Sequence, residues 1–143
     1  MLIIPIEPIM YFPKRILLID DEPHLTGLVR QAFEATGHYE IKEENRSLRA
    51  LHSARHFQPD LILLDVLMPE LDGRELAHQM QADPALQDVP IIFVSSLAAD
   101  GKISTVGFLD GYSFIAKPFE ICDLVNCVEG MLCDGATAVS HHA

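Results

Sequence analysis

Four places in this chain put a reactive or charged side chain directly after a short uncharged apolar run. Asp20-Asp21-Glu22 follow Ile16-Leu17-Leu18-Ile19, Asp65 follows Leu61-Ile62-Leu63-Leu64, Ser95-Ser96 follow Ile91-Ile92-Phe93-Val94, and Lys117-Pro118 follow Ser113-Phe114-Ile115-Ala116. A charge at the rim of a buried strand costs roughly several kcal/mol unless it is paired, metal-bound or neutralised. A lone Asp65 would be read as a loop residue capping the next turn; the other carboxylates change that reading. If the strand ends share one rim, three carboxylates converge there and repel one another, and a hard divalent cation with oxygen ligands relieves the repulsion. Mg²⁺ fits this requirement. A lysine and a hydroxyl at the same rim supply the cation and the hydrogen-bond donor that stabilise phosphoryl oxygens during transfer. The chemistry expected is phosphoryl transfer onto Asp65.

The elements that must position these groups alternate between two periods. Leu25, Leu28, Val29, Ala32 and Phe33 recur at helical spacing after Pro23 and before Gly37, which predicts a helix. Tyr39 to Glu43 reads as a more exposed strand, and Ser47 to Phe57 as a helix with Leu48, Leu51 and Ala54 inward. A loop through Pro69 and Gly73 leads to a helix with Leu76, Ala77 and Met80. Residues 97–109 are predicted as a short, poorly periodic helix containing Gly101 and Gly107. Ile121, Leu124, Val125, Val128 and Leu132 mark a final helix, after which Asp134-Gly135 is expected to begin a polar tail. Five strands alternating with five helices imply an α/β fold, a doubly wound parallel sheet covered on both faces. Ligands then bind outside the carboxyl ends of the strands, where the strand order reverses.

Composition narrows the function classes. At 143 residues the chain suits one core, with an apolar extension at 1–13, a domain at 14–133 and a tail at 134–143. Ten Lys and Arg against 21 Asp and Glu give a net charge of −11, which argues against direct nucleic-acid binding. The N-terminal stretch is too short to span a bilayer, is broken by Pro5, Pro8 and Pro13, and lacks a basic leader, so no membrane insertion is expected. Met10 is an alternative start. Three cysteines without a CxxC spacing suggest reduced thiols and a cytoplasmic protein. Of the seven histidines, His52 and His56 share a helix face but have no third ligand in sequence reach, so a solvated face is expected.

The motifs Asp20-Asp21-Glu22-Pro23, Leu63-Leu64-Asp65-Val66-Leu67-Met68-Pro69 with Asp72-Gly73, Ser95, and Lys117-Pro118-Phe119 together resemble the receiver domain of bacterial response regulators, over about residues 14–133. That resemblance implies a flavodoxin-like strand order 2-1-3-4-5 and a two-component or phosphorelay switch. Asp65 would be the phosphoacceptor, and Asp20, Asp21, Asp65 and the backbone carbonyl of Leu67 the Mg²⁺ site. Ser95 would be the switch hydroxyl, Lys117 the phosphoryl-contacting lysine, and Phe114 the switch aromatic, lacking the phenolic hydroxyl of a tyrosine. Phe114 read simply as a core aromatic is the competing assignment. The implied partners are a histidine kinase or histidine phosphotransfer protein and an unknown downstream protein, with the oligomeric state left open. Such a domain is not an enzyme beyond its own phosphoryl transfer and autodephosphorylation. Leu67 and Leu97 would flank the approach of water to the phosphorus, and two apolar side chains there imply slow self-dephosphorylation.

Departures from the family pattern bear on the last third of the chain. Asp110-Gly111 stands where a Gly-Ala pair is common, and Lys102 is the one basic residue of the expected fourth helix, which does not support a dimer built on charge pairs. A dehalogenase-like hydrolase also uses an Asp after a buried strand, but it needs a second Asp where this chain has Leu67. The remaining alternative is a non-phosphorylated pseudo-receiver acting as a protein-interaction scaffold.

Overall fold

The structure, a computed structural model, describes residues 12–96, 106–109 and 111–141, with the backbone alone for 106–109 and 134–141. Strands β1 (Lys14–Ile19), β2 (Tyr39–Glu44), β3 (Leu61–Leu64), β4 (Ile91–Ser95), β5 (Val106–Leu109) and β6 (Tyr112–Ala116) form one sheet, in the order β2-β1-β3-β4-β6-β5. The first five in that order are parallel, and the order reverses between β1 and β3. This is the expected flavodoxin-like arrangement, with β6 as the fifth parallel strand. Helices α1 (Pro23–Glu34), α2 (Ala50–Phe57), α3 (Gly73–Gln81) and α4 (Ile121–His141) cover it, and a 3-10 turn at Ser47–Arg49 leads into α2.

Period-two alternation divides the core in two. Leu17, Ile19, Ile62, Leu64, Phe93 and Phe114 face α2 and α3, packing on Ala54, Phe57, Leu76 and Met80. Ile16, Leu18, Leu61, Leu63, Ile92, Val94 and Ile115 face α1 and α4, packing on Val29, Phe33, Leu124 and Val128. All four β3 side chains are fully buried, as a central strand covered by helices on both faces requires. Each contributes roughly 1.5–3 kcal/mol of hydrophobic stabilisation.

Several expectations need correction. The predicted fourth helix falls partly on residues outside those described, including Leu97, but its last part is β5, antiparallel to β6. Val106 and Phe108 favour strand and Gly107 disfavours helix. Gly111, at φ 84°, closes the hairpin in a left-handed conformation that glycine adopts at little cost. Among the described residues the α-helices are therefore four rather than five. The last helix does not stop before Asp134-Gly135 but runs to His141; one glycine costs about 1 kcal/mol, and Ala136 and Ala138 favour continuation. The inward stripe of α1 is Thr26, Val29 and Phe33, while Leu28 is 52% exposed. Leu48 lies in the 3-10 turn and is also exposed. Residues 1–11 of the apolar extension lie outside the described residues.

Candidate phosphoryl-transfer site

Strand register brings the site residues to one rim. Ile19 pairs with Leu64, so Asp20 and Asp65 leave neighbouring strands side by side; Ser95 pairs with Ala116, so Lys117 emerges next to β4. Adjacent strands lie about 4.8 Å apart, and one carboxylate oxygen from each of Asp20, Asp21 and Asp65 lies within 4.8 Å of the others. No other cluster of three or more metal-ligating side chains occurs among the described residues. His52 and His56 stack with ring centroids 5.6 Å apart on an exposed face, as a solvated pair.

The backbone sets which oxygens face the centre. Glu22 N–H donates to Asp20 Oδ1 (3.0 Å) and Leu67 N–H to Asp65 Oδ1 (3.2 Å). The Oδ2 atoms turn to Lys117 Nζ, 2.7 Å from Asp20 and 3.5 Å from Asp65. Glu22 Oε1 adds a third anionic contact to the same ammonium at 3.1 Å. Lys117 is itself anchored by its backbone N–H, which donates to Ser95 O at 2.9 Å.

Burial and like charge perturb these groups. Burial pushes the Asp65 carboxyl up from 3.8 to about 6, with Asp20 adding to the rise and Lys117 opposing it. Asp20 is also raised by burial, against the pull of Lys117. Burial works against the Lys117 charge, yet the hydrogen bond and charge of Asp20 and the charge of Asp65 outweigh it and hold the ammonium at about 12. The rim therefore contains two carboxylates that are poorly neutralised by one lysine. A hard oxygen donor set with excess negative charge is the kind that fits Mg²⁺, and Asp20, Asp21 and Asp65 are the side chains that would hold it.

The other expected residues fall around this centre. Leu67 is 49% exposed and lines a hollow of about 350 Å³ with Asp21, Glu22, Asp65, Ser96 and Lys117. Ser95 is fully buried at the end of β4. Phe114 is 5% exposed and pairs across the sheet with Phe93, packed in the core facing α2 and α3.

Three contributors escaped the reading of the sequence as site residues. Glu22 was visible only as part of an acidic run, and its contact with Lys117 depends on a fold-level separation of 95 residues. Ser47 Oγ donates to Pro69 O at 2.8 Å, tying the turn before α2 to the loop after Asp65. Gly73 carries the tightest constraint: an added Cβ would lie 2.1 Å from the Asp65 carbonyl oxygen and 2.8 Å from Val66 Cα. Only glycine lets α3 start against the backbone of Asp65 and Val66, where Gly73 N–H donates to Val66 O at 2.8 Å. Asp72 caps the same helix through Arg74 N–H at 2.7 Å.

Comparison with known proteins agrees with the fold. The profile described as response regulator receiver domain matches residues 16–129. The chain is 30% identical over 122 residues to the polar-differentiation response regulator DivK of Brucella anthropi, covering 85% of this chain and 98% of that one. It is 31% identical over 120 residues to the DNA-binding dual master transcriptional regulator RpaA of Synechocystis, covering 82% of this chain but 48% of that longer protein. Among solved structures, the receiver domain of a Francisella response regulator superposes with a TM-score of 0.70 at 26% identity, covering 83% of this chain and 96% of that one. A CheY-like receiver domain protein from Methanospirillum hungatei superposes at 0.74 and 22% identity over 89% and 99% of the two chains, a likeness of fold. With the profile spanning most of its length, the chain belongs to the response regulator receiver domain family of two-component signalling.

Proposed function

We propose that the protein is a phosphorylation-dependent switch that accepts a phosphoryl group on Asp65, with Mg²⁺, from a histidine kinase or histidine phosphotransfer protein. The observation that supports this most directly is the convergence of Asp20 Oδ2 and Asp65 Oδ2 on Lys117 Nζ at the rim where the strand order reverses. An Asp65 oxygen attacks phosphorus as the bond from phosphorus to the donor histidine nitrogen breaks. Attack requires the ionised carboxylate, and a carboxyl held at about 6 is mostly ionised near neutral pH while remaining more basic than an ordinary aspartate. Bound Mg²⁺ would neutralise phosphoryl oxygen charge beside the carboxylates. Lys117 supplies a positioned ammonium to the same oxygens, exchanging part of its contact with Asp20 for the incoming group.

Ser95 and Phe114 are the readout in this account. The Ser95 hydroxyl, at the end of the strand beside Asp65, hydrogen-bonds the phosphoryl group and draws Ser95-Ser96 toward it. Phe114 then holds its inward position by packing against Phe93 rather than by a hydrogen bond. The donor protein docks on an apolar hollow of about 620 Å³ lined by Leu25, Leu28, Phe119 and Ile121, which shares Ser96 and Lys117 with the acidic site. The exposed Leu28 is accounted for by that contact. The chain catalyses its own phosphorylation and dephosphorylation and turns over no other substrate.

Incubation with acetyl phosphate and Mg²⁺ followed by intact mass tests the reading. One phosphoryl adduct is expected for the wild type, and none in EDTA or for Asp65→Asn. Absence of an adduct under all conditions would instead support the scaffold alternative.

A further inference from the structure

We infer that Asn45 is a positioning residue for the acidic pair, holding the loop that carries Asp20 and Asp21 in the geometry that binds a divalent cation. The inference rests on the reading of Asp20 and Asp21 as cation ligands. Asn45 follows β2 directly, on the opposite side of β1 from the acceptor strand. Its side-chain Nδ2 donates to the backbone carbonyl of Asp20 at 2.8 Å and to Thr26 Oγ1 at 3.1 Å. Because the Asp20 carbonyl can only accept, the amide orientation is determined: Nδ2, not Oδ1, must face it.

The contact continues as a directed chain. Thr26 is fully buried in α1, and its hydroxyl, having accepted from Asn45, donates to Glu43 Oε1 at 2.7 Å, with Pro23 O at 3.1 Å as a second acceptor. One amide thus joins the end of β2, the loop after β1 and the first turns of α1. The Asp20 backbone is held twice by the end of β2, since its N–H donates to Glu44 O at 3.1 Å while its carbonyl receives Asn45. Asp21, next along the chain, has no other side-chain tether from β2 among the hydrogen bonds described. Loss of Asn45 leaves the acidic loop free to sample positions in which Asp20 and Asp21 no longer share a centre with Asp65. Apparent cation affinity falls by the fraction of time the competent arrangement is lost.

The full chain is titrated with Mg²⁺ and followed by amide NMR shifts of residues 20 and 21, in the wild type, Asn45→Ala, Thr26→Val and Ser53→Ala. Ser53 is the control, because its buried hydroxyl donates to Glu44 Oε1 at 2.6 Å and has no contact with the Asp20 carbonyl or Thr26 among the hydrogen bonds described. A neutral hydrogen bond corresponds to about two- to tenfold in an equilibrium constant. Asn45→Ala is expected to weaken Mg²⁺ binding by about that factor, and Thr26→Val in the same direction. At saturating Mg²⁺, phosphorylation of Asn45→Ala by acetyl phosphate should return to within about twofold of wild type, since only the competent fraction has changed. Unchanged Mg²⁺ affinity in Asn45→Ala, or an equal loss in Ser53→Ala, overturns the inference. A wild type that does not respond to Mg²⁺ would overturn the proposed function itself, and is distinguished by appearing before any substitution is made.

Discussion

Asp65→Asn should stabilise the metal-free protein at neutral pH, although it removes the group on which the proposed function depends. Asp65 is 4% exposed, and its carboxyl is raised from 3.8 to about 6 by burial and by Asp20. Because the folded value lies above the unfolded one, the protonated group is favoured by folding. Its stability is fully present below pH 3.8 and is lost as pH rises through about 6. A difference of about two units corresponds to about 3 kcal/mol as an upper bound, and relaxation and water at the rim reduce this to about 1–3 kcal/mol. Asparagine keeps the shape and cannot ionise, so the cost disappears. Urea unfolding in EDTA should show Asp65→Asn more stable by that amount at pH 7.5, and by only about a third of it at pH 4.5. Excess Mg²⁺ should reverse the order, since the cation binds the native wild type and not the variant. A variant equal to or less stable than wild type in EDTA at pH 7.5 would refute the electrostatic account of the rim.

The other predictions concern neighbouring contacts. Gly73→Ala drives a Cβ into the backbone of Asp65 and should cost about 1–3 kcal/mol or more, with slower phosphorylation, in urea and acetyl phosphate assays; a neutral outcome would mean that α3 can retreat freely. Lys117→Ala should weaken the phosphorylated state more than Ser95→Ala, because a charge-assisted contact is worth about 1.5–3 kcal/mol and a neutral one about 0.5–1.5. Equal, negligible effects on phosphorylation and partner binding would count against both roles. Leu67→Asn, at the exposed edge of the acidic hollow, should let a water be held near phosphorus and shorten the phosphoryl lifetime on a Phos-tag gel. A wild-type decay as fast as the variant's would remove the case for shielding.

The sequence showed most where burial leaves little choice. Short apolar runs such as Leu61 to Leu64, bounded by turn residues, read as buried strands, and an ionisable group directly after one falls at the rim, so Asp20, Asp65 and Lys117 were legible in the sequence. What joins them could not. Register, not composition, brings Asp20 beside Asp65, and the reach of Glu22 to Lys117 and of Asn45 to the Asp20 carbonyl exists only once the sheet has formed. Leu28 illustrates the opposite failure. Its spacing fits the inward stripe of α1, yet Thr26 takes the buried position because Glu43 and Asn45 satisfy its hydroxyl, and Leu28 turns outward to the hollow beside Phe119. The stretch before β6 misled because weak helical periodicity and strand propensity were close in strength there, and pairing with β6 settled residues 106–109 as strand.

The most direct measurement is the chemical location of the phosphoryl group. Protein treated with acetyl phosphate and Mg²⁺ is reduced with borohydride, which converts an aspartyl phosphate to homoserine, and the peptides are sequenced by tandem mass spectrometry. The account predicts homoserine at position 65, dependent on Mg²⁺ and lost in EDTA. Homoserine at Asp20 or Asp21 instead, or at no aspartate while the protein still carries phosphate, would contradict it.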